Sequence, residues 1–107
     1  MLFDKISEVR TASTRALASL AQLKAGKVQI YDLEMLDRII ELLYDPSEQT
    51  RLNIVQMISA VGEYPPGREK FKECLDKLKE MVTKEKYHSP LVSRFAQTAI
   101  DVITWMP

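Results

Sequence analysis

Few side chains in this sequence could carry out catalysis, and their spacing does not bring them into a recognisable set. His88 is the only histidine of the chain. A serine or cysteine nucleophile needs a neighbouring general base, so a Ser-His-Asp or Cys-His site would have to be built around His88. This residue stands in the polar stretch 86–89, beside a predicted helix start, which is typical of a surface loop. We therefore expect no catalytic residues and no enzyme activity.

The remaining chemical groups do not predict a cofactor or a metal site. Cys74, the only cysteine, lies between Phe71 and Leu78 of an apolar stripe, which favours a partly buried structural thiol over a reactive one. One cysteine and one histidine cannot build a structural zinc site alone. Gly26 and Gly67 are single glycines without the spacing of a phosphate-binding loop. The sequence therefore predicts no bound metal, nucleotide or other cofactor.

Charged residues alternate in sign between positions 69 and 86. Glu73 with Lys77, and Glu80 with Lys84, stand four positions apart, a spacing that stabilises a helix by about 0.2–0.5 kcal/mol per pair. A solvated helical face is the simplest interpretation. The alternative is a basic docking strip for an acidic partner such as a tubulin tail, which the interleaved acids weaken. That strip would consist of Lys70, Lys72, Lys77 and Lys79.

The composition predicts a folded protein of a reducing compartment. Lys and Arg total 15, as do Asp and Glu, so the net charge of zero does not favour nucleic acid or an anionic membrane as partner. The apolar runs are shorter than the roughly 20 residues of a membrane span, and the first residues lack the apolar core of a secretory signal. A lone cysteine excludes an internal disulfide, which favours the cytoplasm.

Helical spacing dominates the hydrophobic pattern and predicts an all-α fold. Apolar positions recur at steps of three and four along five stretches, near residues 6–23, 33–43, 47–61, 71–82 and 89–103. Gly26 is predicted to follow the end of the first helix and Asp32 to cap the second. Ser47 can start the third helix, and Pro90 suits the first turn of the last. The alternating stretch 28–31 predicts a connection or a short extra helix.

Internal repetition gives the architecture. Equivalent positions recur at spacings of 41 and 42 residues, in the sets Val9, Thr50 and Val92; Ser13, Ile54 and Ala96; Ala16, Met57 and Ala99; Leu17, Ile58 and Ile100; and Leu20, Val61 and Ile103. A period near 40 with two helices per unit is typical of armadillo and HEAT repeats, whose units stack to share a core. The sequence predicts one domain over 1–107, an α-solenoid of about two and a half repeats (3–44, 47–84 and 89–107) with five main helices. Ala16 and Ala99 would allow close helix approach.

The pattern begins with an apolar helix and no polar cap, whereas the end of a solenoid normally has a polar outer face. We expect either that the chain is the C-terminal part of a longer array or that its first face docks on a partner. In the second case the chain would be a small adaptor that self-associates through Leu2, Phe3 and Ile6.

Several segments resemble the armadillo and HEAT families. They are Glu8-Val9-Arg10, Ala16-Leu17-Ala18-Ser19-Leu20-Ala21 and Pro65-Pro66-Gly67-Arg68-Glu69-Lys70-Phe71. Importin-like members of the family use a ladder of Asn and Trp to clamp an extended peptide. Ser19, Ala60 and Val102 stand at the matching Asn positions, and Arg15, Gln56 and Thr98 at the matching Trp positions. We therefore do not expect nuclear-import peptides as ligands.

A narrower resemblance is to armadillo proteins of ciliary and flagellar axonemes. It is carried by the stretches 8–12 and 23–27 and by the ending Val102-Ile103-Thr104-Trp105-Met106-Pro107. The resemblance implies a structural role in the axonemal radial spoke, with other radial spoke subunits as partners.

The sequence as a whole predicts a non-enzymatic scaffold for other proteins. In armadillo proteins the inner surface is formed by the helices placed here at 3–24, 47–63 and 89–105. The polar positions of these helices are the candidate partner contacts: Arg15, Ser19, Gln22, Asn53, Gln56, Glu63, Gln97, Asp101 and Thr104. Trp105 is expected to cap the terminal core; if exposed, it would be a suitable interface anchor.

Overall fold

The computed structural model describes residues 6–83 and 89–105, and the regular structure in these ranges is entirely helical. This confirms the all-α prediction. The α-helices are α1 (Ser7–Leu20), α2 (Lys24–Asp32), α3 (Leu36–Glu41), α4 (Glu48–Val61), α5 (Pro65–Phe71), α6 (Leu75–Thr83) and α7 (Pro90–Ile103). Two 3₁₀ turns, Leu42–Tyr44 and Lys72–Cys74, follow α3 and α5. Among the described helices, none combines the length and apolar character needed to cross a bilayer.

Helix α4 lies at the centre of the molecule. It packs against α1 on one side and against α7 on the other, and α6 packs against α7. The three helices whose sequences align with one another are therefore neighbours in chain order. Because α4 is covered on two sides, most of its circumference is apolar and buried; its buried apolar residues are Ile54, Val55, Met57, Ile58, Ala60 and Val61.

Helix α7 has a one-sided pattern instead. Its inner face buries Val92, Ala96, Ala99 and Ile103 against the rest of the core, and its outer face is mostly polar, with Leu91 as an exposed apolar residue. Burying a side chain the size of Val92 or Ile103 stabilises a fold by roughly 1.5–3 kcal/mol. Ala99 is fully buried, as its predicted role at a helix contact requires, whereas the prediction for Ala16 is wrong because this residue is exposed on α1.

The starts of α4 and α7 follow the sequence signals. Ser47 precedes α4 in extended conformation, and its hydroxyl accepts a hydrogen bond from the Thr50 backbone N–H at 3.3 Å. Ser89 does the same before α7, accepting from the Val92 N–H at 3.2 Å, with Pro90 in the first turn. Such a cap satisfies one of the donors that a helix N-terminus leaves free and contributes about 1 kcal/mol.

The region between α1 and α3 differs from the prediction. Gly26 lies within α2 and does not follow the end of α1, and Asp32 is the last residue of α2, so it caps no later helix. The chain reverses at Glu34, whose φ of 56° is left-handed, and α3 begins only at Leu36. This reversal leaves Leu33, predicted in a buried stripe, 62% exposed. With α2 and α5 as separate helices, the described residues hold seven α-helices where five main ones were predicted.

The two short helices α2 and α5 each cross the end of the preceding long helix at a glycine. A Cβ atom at Gly26 would collide with the carbonyl oxygen of Leu20, at the end of α1. At Gly67 it would lie 2.8 Å from the carbonyl oxygen of Val61, at the end of α4. Both glycines are therefore required for close backbone approach.

A positively charged residue follows each of these glycines and donates a hydrogen bond to a backbone carbonyl at the C-terminal end of the preceding long helix. The Lys27 ammonium donates a hydrogen bond to the Ala21 carbonyl at 2.7 Å, and the Arg68 Nε donates to the Gly62 carbonyl at 3.0 Å. These carbonyls belong to helix C-termini, which lack intrahelical donors and attract positive charge. The contacts repeat at the period found in the sequence, since 68 is 41 positions beyond 27.

The lysines of the predicted basic strip are largely paired with acids. Lys70 contacts Asp37 at 2.8 Å and Glu73 at 2.7 Å, and these two hydrogen bonds raise the pKa of Lys70 above its usual value. Lys77 pairs with Glu80 at 3.2 Å, three positions away, and the predicted pair of Lys77 with Glu73 is not formed. Lys84, and with it the second predicted pair, lies outside the described residues. The solvated-face interpretation fits these contacts better than a basic docking strip.

Candidate functional site

The thiol of Cys74 is unreactive at neutral pH. The Cys74 thiol is buried and donates a hydrogen bond to the Phe71 carbonyl at 3.1 Å. Burial raises its pKa to about 12, so at neutral pH it stays protonated and is a weak nucleophile. His88 lies outside the described residues. Within residues 6–83 and 89–105, no three His, Cys, Asp or Glu side chains are placed to hold a metal ion.

A groove of about 300 Å³ lies between α1 and α4, and we call it the α1/α4 groove. Six of the nine predicted partner-contact residues line it: Arg15, Ser19, Gln22, Asn53, Gln56 and Glu63. Side chains three and four positions apart share one face of a helix, so Arg15, Ser19 and Gln22 form one wall. Ala18, Ser59, Ala60 and Phe95 complete the lining. The structure thus brings together the predicted residues of α1 and α4.

Three polar side chains in the groove have no partner in the described ranges. Arg15 and Ser19 are exposed, Gln56 is half-buried, and none of the three makes a side-chain hydrogen bond or ion pair there. Gln22, just past the end of α1, donates only to the Ala18 carbonyl, at 3.5 Å. A guanidinium and an amide together offer several donors and an acceptor. The groove therefore presents hydrogen-bonding groups that folding does not use.

Asn53 differs from the other groove residues because its amide is already engaged. Only 3% of the residue is exposed. Its nitrogen donates to the Thr11 carbonyl and to the Thr14 hydroxyl, both at 3.1 Å, and its oxygen accepts from Gln49 at 3.3 Å. Asn53 therefore positions α1 against α4 beneath the groove.

The charge of the groove changes along its length, from a positive side chain to a negative one. Arg15 lies midway along α1, whereas Glu63 lies just beyond the C-terminal end of α4. The Glu63 side chain is 62% exposed, and its carboxylate is 3.9 Å from the Lys27 ammonium. The Glu63 carboxylate therefore remains accessible to a partner.

A second cleft, of about 410 Å³, continues from Glu63 towards the end of α7. Asp101, Val102 and Trp105 form its far side. Trp105 is 57% exposed, so it does not cover the core as predicted. Its ring centroid lies 5.3 Å from the guanidinium carbon of Arg68, close enough for a cation–π contact. An exposed tryptophan beside a cleft has the form of an interface anchor.

The other predicted contacts of α7 lie away from the α1/α4 groove. Gln97 donates to the Asp101 carboxylate at 2.9 Å on the exposed face of the helix. The Thr104 hydroxyl donates to the Ile100 carbonyl at 2.7 Å. Of these three residues, Asp101 lines the second cleft.

The lining residues that were not predicted as partner contacts include Phe95 and Arg68. Phe95 is an apolar residue of α7, but it is only partly buried and borders the groove. Arg68 lies on the short helix α5, and its spacing of 41 from Lys27 is the signal that could have identified it. The two clefts offer amide, guanidinium, carboxylate and aromatic groups for binding and no reactive set for catalysis. Comparison with models of known protein families and with curated proteins finds no match to this chain.

Proposed function

We propose that this chain is a non-enzymatic scaffold that holds a segment of a partner protein in the α1/α4 groove. The observation that carries the proposal is the set of unengaged polar side chains, Arg15, Ser19 and Gln56, along one concave surface. An extended segment presents unpaired backbone N–H and C=O groups, which guanidinium and amide side chains can satisfy. Glu63 and Trp105 in the adjoining cleft would extend the contact.

The proposed architecture is an armadillo/HEAT-like solenoid, in which α1, α4 and α7 are equivalent layers. Two features support it. These helices are neighbours in chain order, and the contacts of Lys27 and Arg68 with the preceding helix ends recur 41 positions apart. Stacked layers of this kind form extended concave surfaces suited to protein ligands.

The proposed place of action is the axonemal radial spoke of cilia and flagella. This part of the proposal comes from the sequence, whose stretches 8–12, 23–27 and 102–107 resemble the C-terminal repeats of radial spoke head protein 14. The partners would then be other radial spoke subunits.

A charge-reversal experiment tests the groove. Tagged wild-type chain and the variants Arg15→Glu and Gln56→Glu are incubated with solubilised axonemes, and the bound radial spoke subunits are quantified by mass spectrometry. Lys79→Glu is the matched control, because Lys79 is exposed on α6 and lies outside both clefts. We expect recovery to fall at least about tenfold for the groove variants and to stay unchanged for Lys79→Glu.

Two further measurements make the result decisive. Circular dichroism must show that the variants keep the helical content of the wild type. A photo-crosslinking amino acid at Gln56 should join the chain to the same subunits, whereas one at Lys79 should not. The scaffold proposal fails if both groove variants recover every partner as well as the wild type does.

A second candidate function is a small cytosolic adaptor that self-associates through an apolar face near the N-terminus. Ile6 is 59% exposed, which is the observation in its favour. Leu2 and Phe3, predicted to act with it, lie outside the described residues. Sedimentation of the isolated chain tests this candidate, because a monomer at all concentrations would contradict it.

A further inference from the structure

The outer face of α2 is a shallow apolar groove of about 720 Å³. Its lining consists of Lys24, Ala25, Val28, Gln29, Asp32 and Leu33, which we call the α2 face. Leu33 is 62% exposed, and it lines this groove together with Ala25 and Val28. Large apolar side chains grouped on one helix face and rimmed by polar residues mark an interaction site.

The charged side chains at the two ends of this face interact unfavourably with the dipole of α2. Lys24 is the first residue of α2 and Asp32 the last, whereas the positive end of a helix dipole is its N-terminus. Both side chains are exposed, and neither forms an ion pair within the described parts of the chain. The stability of the isolated helix therefore does not explain these two charges.

If α2 of a second copy lay antiparallel against this helix, Lys24 and Asp32 would both occupy electrostatically favourable positions. Lys24 and Asp32 are each four residues from Val28, so a twofold axis at Val28 places each Lys24 beside Asp32 of the second copy. Each lysine would also face the negative C-terminal end of the opposite helix. Ala25 and Val28 would then be covered near the centre of the contact, with Leu33 at its edge. A parallel arrangement would instead bring like charges together.

We propose that the α2 face binds the α2 face of a second copy of this chain, antiparallel, with two Lys24–Asp32 ion pairs flanking Val28. A twofold interface needs one self-complementary patch, and the α2 face supplies both charges and the apolar centre. This inference is independent of the α1/α4 groove, and it places self-association on residues other than Leu2, Phe3 and Ile6.

Charge exchange tests the pairing. The dissociation constant of the dimer is measured by sedimentation equilibrium over a concentration series, for the wild type, Lys24→Glu, Asp32→Lys and the double variant. Each single variant replaces two attractions with two repulsions, so we expect at least about tenfold weaker association. The double variant restores both pairs across the axis, and its constant should return to within about threefold of the wild type. Higher ionic strength should weaken the wild-type dimer.

A second pair of variants tests the apolar part of the contact. Leu33→Glu should weaken association, because it adds a charge at the edge of the covered surface. Leu91→Glu is the control, since Leu91 is also an exposed leucine, at 44%, but lies on α7; it should leave the dissociation constant unchanged. Circular dichroism confirms that each variant is folded.

Two results would overturn the proposal. One is a wild-type chain that stays monomeric at millimolar concentration, in which case the α2 face serves a different protein. The other is a double variant that associates no better than the single ones, which would place the contact elsewhere. Neither result affects binding of partners to Arg15 and Gln56, so failure here is distinguishable from failure of the groove proposal.

Discussion

Asn53 donates a hydrogen bond to the hydroxyl oxygen of Thr14 over 3.1 Å and so joins α4 to α1 inside their interface. Both residues are buried, with exposures of 3% and 0%. A buried amide without partners would cost more free energy than the hydrogen bond returns, so this pair favours one register of the two helices. The position of every side chain in the α1/α4 groove depends on that register.

Replacing Asn53 with alanine should destabilise the protein by about 2–3 kcal/mol. The change removes the bonds to the Thr14 hydroxyl and the Thr11 carbonyl, takes away the donor that faces the buried Thr14 oxygen and opens a small cavity. Urea unfolding followed by circular dichroism measures the loss.

Gln56→Ala is the matched control for Asn53→Ala. Gln56 lies one turn further along α4 and makes no side-chain hydrogen bond in the described ranges. We expect its free energy of unfolding to stay within about 0.5 kcal/mol of the wild type. Equal losses in the two variants would contradict the role assigned to the Asn53 amide.

Helix boundaries were predictable where a local signal had a single meaning. Ser47 and Ser89 each precede an apolar stripe and cap α4 and α7 as expected. Gly26 was misassigned because glycine serves two purposes, ending a helix or permitting close backbone approach, and only the packing of α2 on Leu20 distinguishes them. The reversal at Glu34 had no sequence signal, since glutamate seldom adopts a positive φ.

The candidate site was predictable to the extent that it depends on helix periodicity. Spacing of four positions places Arg15 and Ser19 on one face of α1 whatever packs against it, and Gln22 follows three positions later, just past the helix end. Spacing does not say which neighbour meets that face. The engagement of Asn53 by α1 and the position of Phe95 at the groove depend on how α1, α4 and α7 pack, so the sequence could not give them.

Gly26→Ala should destabilise the protein by about 2–4 kcal/mol. A methyl group there meets the Leu20 backbone oxygen, so α2 would have to move away from the end of α1. The gain of about 1 kcal/mol in helix propensity cannot offset this. Ala25→Ser, at the exposed neighbouring position, should change stability by less than about 0.5 kcal/mol in the same thermal or urea unfolding experiment. A stabilised Gly26→Ala protein would show that the close approach is absent.

Glu34→Gly should stabilise the protein by about 0.5 kcal/mol. The left-handed conformation of Glu34 costs an L-residue roughly 1–2 kcal/mol, which glycine avoids, although greater freedom in the unfolded chain removes part of the gain. Glu41→Gly is the comparison, because Glu41 has helical backbone angles at the end of α3. There the same substitution should cost about 1 kcal/mol. The opposite signs are checked by urea unfolding, and destabilisation by both variants would refute the explanation.

Cys74 should make the protein less stable at alkaline pH. Burial raises the pKa of its thiol from 9.0 to about 12, so between these values the unfolded chain releases a proton that the folded chain retains. Stability is unaffected below pH 9 and then falls by up to about 1.4 kcal/mol per pH unit as the pH approaches 12. Urea unfolding at a series of pH values should show a shallower alkaline decline for Cys74→Ala than for the wild type. Parallel declines, or rapid modification of the folded protein by iodoacetamide at pH 8, would show that the thiol is accessible and ionises normally.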